Sequence, residues 1–282
     1  PLLNHPPPPH NNTPRLSSAA SDVYKRQILD LGCGTGANLR HLAPLLGAAG
    51  HAHQRWTCVD HDAALLARLP PRLGAWADAQ ALQCASAGAD LRIHTDRWRA
   101  DVAWSRIDLA ADADRLRLPR GGLVTASALL DLVSRRWLDA LLGRCRAGDC
   151  ALLFALSYDG RSRMTPMHPH DASVTALVNR HQRTDKGFGP ALGPDAAAAA
   201  ARGCGLLGYR VRTAPSDWHV GPDKAGLQRA LLAGWRDAAG QMAAAETDPA
   251  TCLDDWHAAR LAAIDAGRSE LRVGHLDLLA LP

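Results

Sequence analysis

From Gln27 onward the chain alternates short runs of consecutive apolar residues with longer stretches in which apolar residues recur every three or four positions. Ile28–Leu31 is a short apolar run that ends in a glycine-rich turn. Ala37–Leu46 then puts Leu39, Leu42, Leu45 and Leu46 at helical spacing, and Gly47 supplies a stop. Trp56–Val59 forms a second short strand ending at Asp60, and Ala63–Leu69 begins another helix. Strand, turn, helix and strand in this order make a βαβ unit, which implies a parallel sheet with right-handed crossovers. Leu91–His94 reads as a short strand or a helix end, and Ile107–Leu109 as a candidate strand. Leu123–Ala126 is a strand followed by a helix over about 128–145. Ala151–Ser157 has the continuous apolar run of a central parallel strand.

Residues 159–194 break the alternation. They are rich in His, Pro, Arg, Asp and Gly without periodicity, and so predict a long lid-like insertion. Asp195–Leu207 reads as an alanine-rich helix and Tyr209–Thr213 as a strand. Residues 223–268 read as two or three amphipathic helices broken near Thr247–Pro249, and Leu271–Ala280 as a last strand. There is no internal repeat. The expected organisation is a single domain over 27–282, with the lid-like insertion and a helical insertion over 223–268. Residues 1–26 differ: six of the 18 prolines fall before residue 15, and Asn, Ser and His fill much of the rest. Such a segment cannot offset its ordering entropy by burial, which predicts disorder. The string Ser17–Gln27 also resembles read-through from a cloning adaptor, so the segment is read as disordered or artefactual. It lacks the basic start and apolar stretch of a signal peptide.

Composition narrows the function classes. A hydrophobic content of 47% supplies a core, and a net charge of +4 is too small a bias to point to nucleic acid. No run approaches 18 apolar residues, so no membrane-spanning helix is expected. The seven cysteines are scattered and never spaced C-x-x-C, which argues against a disulfide framework or a zinc site and fits a reducing, cytoplasmic setting. His168 and His170 beside Asp171 could suggest a metal, but His-x-His in a proline-rich loop is more often solvated, and no metal is expected.

The chemistry lies in Asp30-Leu-Gly-Cys-Gly-Thr-Gly-Ala-Asn38. Alternate glycines allow a sharp strand-to-helix turn and leave room for a ligand against the backbone. The helix N-terminus behind them offers unpaired N–H groups. Asp60, at the end of the second strand, can accept both hydroxyl hydrogens of a ribose. Asp30, ahead of the first glycine, suits a ligand that carries an ammonium group. Together these predict a nucleoside with a charged tail. The same residues satisfy G-x-G-x-x-A (Gly32, Gly34, Ala37), the dinucleotide fingerprint, and Asp60 would serve NAD equally well.

The whole string resembles the first motif of class I S-adenosylmethionine-dependent methyltransferases, in which an acid precedes the glycines. In a dinucleotide enzyme Asp30 would repel the pyrophosphate. The resemblance spans about 27–158. It implies a three-layer Rossmann-like α/β sandwich whose mostly parallel, seven-stranded sheet ends in an antiparallel strand, with extra C-terminal helices. It implies S-adenosyl-L-methionine as cofactor. Asp30 would serve the methionine ammonium, directly or through water. Gly32, Cys33, Gly34 and Gly36 would line the methionine and ribose. Asp60 would hold the ribose hydroxyls, and His61 or Asp62 would border the adenine. Asp108-Leu109 matches the position whose acid meets the adenine amino group, with Asp112 and Asp114 as competitors. Thr125, Ala126 and Ser127 match the strand end that faces the methyl donor. Gly121-Gly122 stands where the family often has an acid.

A substrate would enter over the fourth and fifth strands. Tyr158, Asn179, His181 and Lys186 are candidate substrate contacts, with His181 as candidate base and Tyr158 and Lys186 orienting a polar acceptor. The alternative is a solvated loop whose charges pair with one another. Trp218, Trp235 and Trp256 are expected to pack the C-terminal helices. No Asn-Pro-Pro-Tyr-like string follows the fourth strand, which argues against methylation of DNA adenine. The expected activity is methyl transfer to a small-molecule acceptor, with no nucleic-acid or membrane partner. The alternatives are a non-catalytic S-adenosylmethionine-binding scaffold and an NAD-dependent oxidoreductase.

Overall fold

The computed structural model describes residues 27–88, 90–244 and 251–282, which places residues 1–26 and the helix break at 247–249 outside the described residues. Among the described residues there are ten strands: β1 (Gln27–Leu31), β2 (His53–Asp60), β3 (Gln83–Ala87), β4 (Asp90–His94), β5 (Arg99–Arg106), β6 (Leu123–Ser127), β7 (Ala151–Thr165), β8 (Arg210–Pro215), β9 (Trp218–Val220) and β10 (Glu270–Leu281). The helices are α1 (Ala37–Ala48), α2 (Ala63–Ala79), α3 (Arg135–Ala147), α4 (Asp171–Gln182), α5 (Ala196–Leu206), α6 (Ala225–Ala243) and α7 (Thr251–Asp265).

One sheet runs β3-β4-β5-β2-β1-β6-β7-β10-β8, with β9 paired to β10. Its centre, β5-β2-β1-β6-β7, is parallel, and β10 is antiparallel to both β7 and β8. This is the expected three-layer α/β arrangement with an antiparallel last strand. It has ten strands rather than seven, because a β3–β4 hairpin extends one edge and β9 adds a short piece to β10. Successive residues of the central strands feed opposite layers, as a pleated strand requires. Leu29, Leu152 and Phe154 pack with α3 and α5, through Leu138, Leu142, Ala196 and Ala200. Ile28, Ala151 and Leu153 pack with α1 and α2, through Leu39, Leu42, Leu69 and Leu73.

Several local expectations are corrected. Ile107–Leu109 is not a strand. The strand is β5, whose buried Ala100 and Val102 alternate with partly exposed residues and whose charged flanks obscure it. Asp60 accepts the Ile107 N–H through its backbone oxygen (2.9 Å), and the pairing stops there. Leu91–His94 resolves to the strand β4. The helix expected from 128 begins only at Arg135, where Ser134 Oγ accepts the Trp137 N–H (3.3 Å). Before it, Ala128 takes the left-handed conformation (φ 53°). α2 runs through Pro70 and Pro71, since Leu66, Leu69, Leu73 and Ala77 bury a continuous face that outweighs the missing N–H groups. The stretch 159–194 is not structureless. β7 continues to Thr165 and α4 follows.

This last correction positions everything on the acceptor side. Beyond the carboxyl edge of the sheet, β7 leaves β6 and continues with β10 and β9, pairing Tyr158–Thr165 with Glu270–His275. α4, α6 and α7 cover this extension around a third core that includes Val174, Val178, Leu232, Trp235, Trp256 and Val273. The expected packing role of Trp235 and Trp256 is met there, and Trp218 packs against its rim. One ion pair ties the cap together. Arg260, 2% exposed, donates to both oxygens of Asp171 (2.6 and 2.7 Å) and to the Pro166 carbonyl (2.5 Å). Asp171 also accepts from Trp256 Nε1 (2.9 Å) and the His168 N–H (2.8 Å). No described helix is long and apolar enough to cross a membrane.

Candidate active site

β1 ends at Leu31, and the chain turns into α1 through Gly32, Gly34 and Gly36, whose φ values are 65°, 52° and 80°. All three lie where a Cβ is strained, so the alternate-glycine spacing reflects the backbone itself. At Gly34 a Cβ would meet nothing within 4 Å, so this face of the turn is open. Cys33 is buried between them, and its N–H reaches the Val59 carbonyl (3.0 Å), tying the turn to the end of β2. A hydrogen bond with Cys58 and then burial push the Cys33 thiol up, so it packs as a thiol rather than serving as a nucleophile.

Asp60 closes the other side. Its Oδ2 accepts the Gly34 N–H (2.8 Å) and its Oδ1 the Asp62 N–H (2.9 Å). A carboxylate has about four lone-pair positions, so about two remain for a ligand. His61 is largely exposed, with Nδ1 3.5 Å from Asp60 Oδ1. Asp62 caps α2, accepting from Ala64 and Leu65 N–H (2.7 and 3.2 Å).

Asp30 sits beneath the turn, fully buried. Asn38 Nδ2, in the first turn of α1, donates to Asp30 Oδ1 (2.9 Å) and to Thr125 Oγ1 (3.1 Å). Thr125 in turn donates to the Leu153 carbonyl (2.8 Å). Asp30 Oδ2 has no hydrogen-bond partner among the described residues. Burial pushes the Asp30 carboxyl up to about 7, with the Asn38 bond opposing and the charge of Asp60 adding. The folded protein therefore holds this proton up to about pH 7, whereas the unfolded chain releases it near pH 4. Folding takes up a proton in that window, so this group makes stability fall as pH rises through it. Asp30→Asn is expected to raise the melting temperature by several degrees at pH 8, with the gain vanishing near pH 4. Thermal melts of both proteins at the two pH values check this, and an equal offset at both would contradict it.

The remaining sequence candidates lie along the same carboxyl edge. Asp108 is exposed and accepts the Ala110 and Ala111 N–H groups (2.9 and 3.2 Å) in the loop after β5. Leu109 is buried, and its carbonyl accepts from Trp137 Nε1 (2.6 Å). Ala126 pairs with Leu31, and Ser127 with Ala155. Immediately past them Ala128 and Leu156 both have left-handed backbones (φ 53° and 55°). The Ala128 N–H bonds the Ala155 carbonyl (3.0 Å), and Asp277 Oδ1 accepts the Leu156 N–H (2.9 Å). Non-glycine residues persist in this conformation only where the surroundings hold them, and such strain gathers at functional sites.

The substrate candidates divide into two groups. Tyr158 is buried at the start of the cap and donates to Asn179 Oδ1 (2.7 Å). His181, two residues further along α4, sits about 200° around the helix from Asn179. It meets Gln241 on α6 (3.1 Å from Nε2) and Lys186 (3.4 Å from Nδ1). Burial and the charge of Lys186 lower its pKa. Lys186 also donates to Thr184 (3.0 Å). The fold thus joins Tyr158 with Asn179, and His181 with Lys186, on different sides of α4. In the proline-rich loop, the His170 N–H donates to His168 Nδ1 (3.2 Å). Two residues without an assigned role in the sequence belong here. Asn38 is the second residue of α1, and the glycine turn folds it back onto Asp30. Asp131 is the lone charge in the apolar run Ala-Leu-Leu-Asp-Leu-Val, and that isolation was its signal.

No family model and no curated protein sequence matches the chain. Solved structures do. A cyclopropane-fatty-acyl-phospholipid synthase-like protein from Lactobacillus casei is 15% identical, with 98% of this chain and 95% of that one covered and a TM-score of 0.48. Precorrin-6y C5,15-methyltransferase from Geobacter metallireducens is 10% identical over 73% of this chain and 74% of that one, at 0.39. An O-methyltransferase family protein from Burkholderia thailandensis is 14% identical over 93% and 57%, at 0.41. At these scores the likeness is partial.

Proposed function

We propose that the chain is an S-adenosylmethionine-dependent methyltransferase that acts on a small-molecule acceptor. The observation that supports it most is the Gly34 N–H held on Asp60 at the open mouth of α1, with Asp30 buried directly beneath. When bound, the cofactor supplies an electrophilic methyl group on a sulfonium. The chain's part is to bind, orient and keep water away. Asp60 has lone pairs left for two ribose hydroxyls, and the missing Cβ at Gly34 leaves space beside it. Asp30 acts through Asn38, fixing the amide that would face the amino-acid end, and its unpaired Oδ2 suits a cationic group or a water that serves one. A pyrophosphate at the same turn would meet the Asp60 carboxylate, which favours the sulfonium nucleoside over a dinucleotide.

The acceptor side supports a small substrate. β7 continues past its last pairing with β6 at Ala155 and carries Tyr158 beside Asn179 of α4, so an acceptor would be aligned by these residues. In-line displacement depends mainly on such alignment. Ligand-dependent melting tests the reading. A ligand at 100 times its Kd adds about 2.7 kcal/mol, so S-adenosylhomocysteine is expected to raise the melting temperature by about 5–10 °C. NADH is expected to leave it unchanged, and a shift with NADH alone would contradict the proposal.

A further inference from the structure

The chain leaves β6 at Ser127, bends through Ala128 and passes through a single 3-10 turn, Leu130–Leu132, across the ends of β6 and β7. Asp131 lies in that turn. It is 8% exposed, its Oδ1 is buried without a hydrogen-bond partner, and no cation among the described residues pairs with it. An acid in this condition is costly to keep, since a buried carboxylate ordinarily has a counter-charge or several donors. Its neighbourhood is polar on one side. Burial, then the charges of Asp159 and Asp131, push the Tyr158 phenol up. Tyr158 is fixed by Asn179, and His275 lies opposite it in the β7–β10 register, with ring centroids 6.1 Å apart. The His275 ring is held by Nδ1 on the Val273 carbonyl (3.0 Å).

We propose that Asp131 is the acceptor-binding base of this enzyme and that the acceptor is a primary or secondary amine. The inference rests on the methyltransferase reading of the neighbouring crevice. The missing partner of the carboxylate is a cation, and an incoming ammonium group supplies one. Asp131 takes one proton from that ammonium, which frees the nitrogen lone pair. The nitrogen forms a bond to the donor methyl carbon while the carbon–sulfur bond breaks and its electron pair stays on sulfur. The products are an N-methylated ammonium and a neutral thioether, and the protonated Asp131 returns its proton to solvent. Burial pushes the Asp131 carboxyl up to about 6, near enough to neutrality for both steps.

The experiment uses the whole chain and four amines (putrescine, ethylamine, benzylamine and tryptamine) beside 1,4-butanediol, ethanol and benzyl alcohol. Transfer of tritiated methyl and calorimetric binding of S-adenosylhomocysteine are read for the natural protein and for Asp131→Asn. The natural protein is expected to label at least one amine and no alcohol. Asp131→Asn is expected to bind S-adenosylhomocysteine within about twofold of the natural protein and melt no lower, because a buried charge is removed, while labelling falls at least 100-fold. Retained labelling in the variant, labelling of alcohols alone, or no labelling of any amine by a protein that binds S-adenosylhomocysteine would overturn the proposal. Failure to bind S-adenosylhomocysteine at all would overturn the donor-site reading together with it.

Discussion

Arg260→Ala is expected to cost about 3 kcal/mol, the low end of the penalty for stripping one partner from a buried ion pair, because Arg260 is buried while Asp171 is 22% exposed. In a chain of this size that is a drop of roughly 10 °C in melting temperature. The cause is specific. Without the guanidinium, Asp171 keeps Trp256 Nε1 and the His168 N–H but has no counter-charge, and the Pro166 carbonyl loses its donor. The damage belongs to the cap, because Arg260 joins α7 to Pro166 and to Asp171 at the start of α4. Hydrogen exchange should therefore rise first in α4 and α7, with β1, β2 and β6 still protected. Replacing both partners by apolar residues of similar size, Arg260→Met with Asp171→Leu, should not recover the loss, because Trp256 Nε1 and the His168 N–H then lose their acceptor as well. A variant as stable as the natural protein would show that the pair is not buried in solution.

Asp60→Ala should do the opposite, leaving the fold and removing the ligand. Hydrogen bonds to a charged group contribute about 1.5–3 kcal/mol each, so losing two from the ribose predicts a fall in S-adenosylhomocysteine affinity of at least about 100-fold. The structural loss is the acceptor for two N–H groups, on Gly34 and Asp62, about 1 kcal/mol each, in a turn where water can replace it. Calorimetry and melting curves separate the two effects. Asp60→Asn, which keeps one acceptor oxygen, should fall between. A variant that binds like the natural protein would place the ribose elsewhere.

The parallel centre of the sheet was legible because its strands are buried on both faces. Ile28–Leu31, Leu123–Ala126 and Ala151–Ser157 are nearly uninterrupted apolar runs, and such runs have few other uses. β5 was not legible, since its charged and small residues hide two buried positions. The glycine turn and Asp60 were legible because backbone conformation restricts the residue type there. The depth of Asp30 was not, since only the fold shows that Asn38 lies over it. The cap was the least legible. A lone Asp in an apolar run and a buried Arg in an amphipathic helix become meaningful only when distant segments meet. For the same reason Tyr158, Asn179, His181 and Lys186 read as one cluster in sequence, while α4 presents Asn179 and His181 to different neighbours.

Isothermal titration of the natural protein with S-adenosylhomocysteine tests the central claim most directly. One site per chain with a dissociation constant in the micromolar range, weakened by Asp60→Ala, is the predicted result. No heat of binding at millimolar ligand would contradict the account.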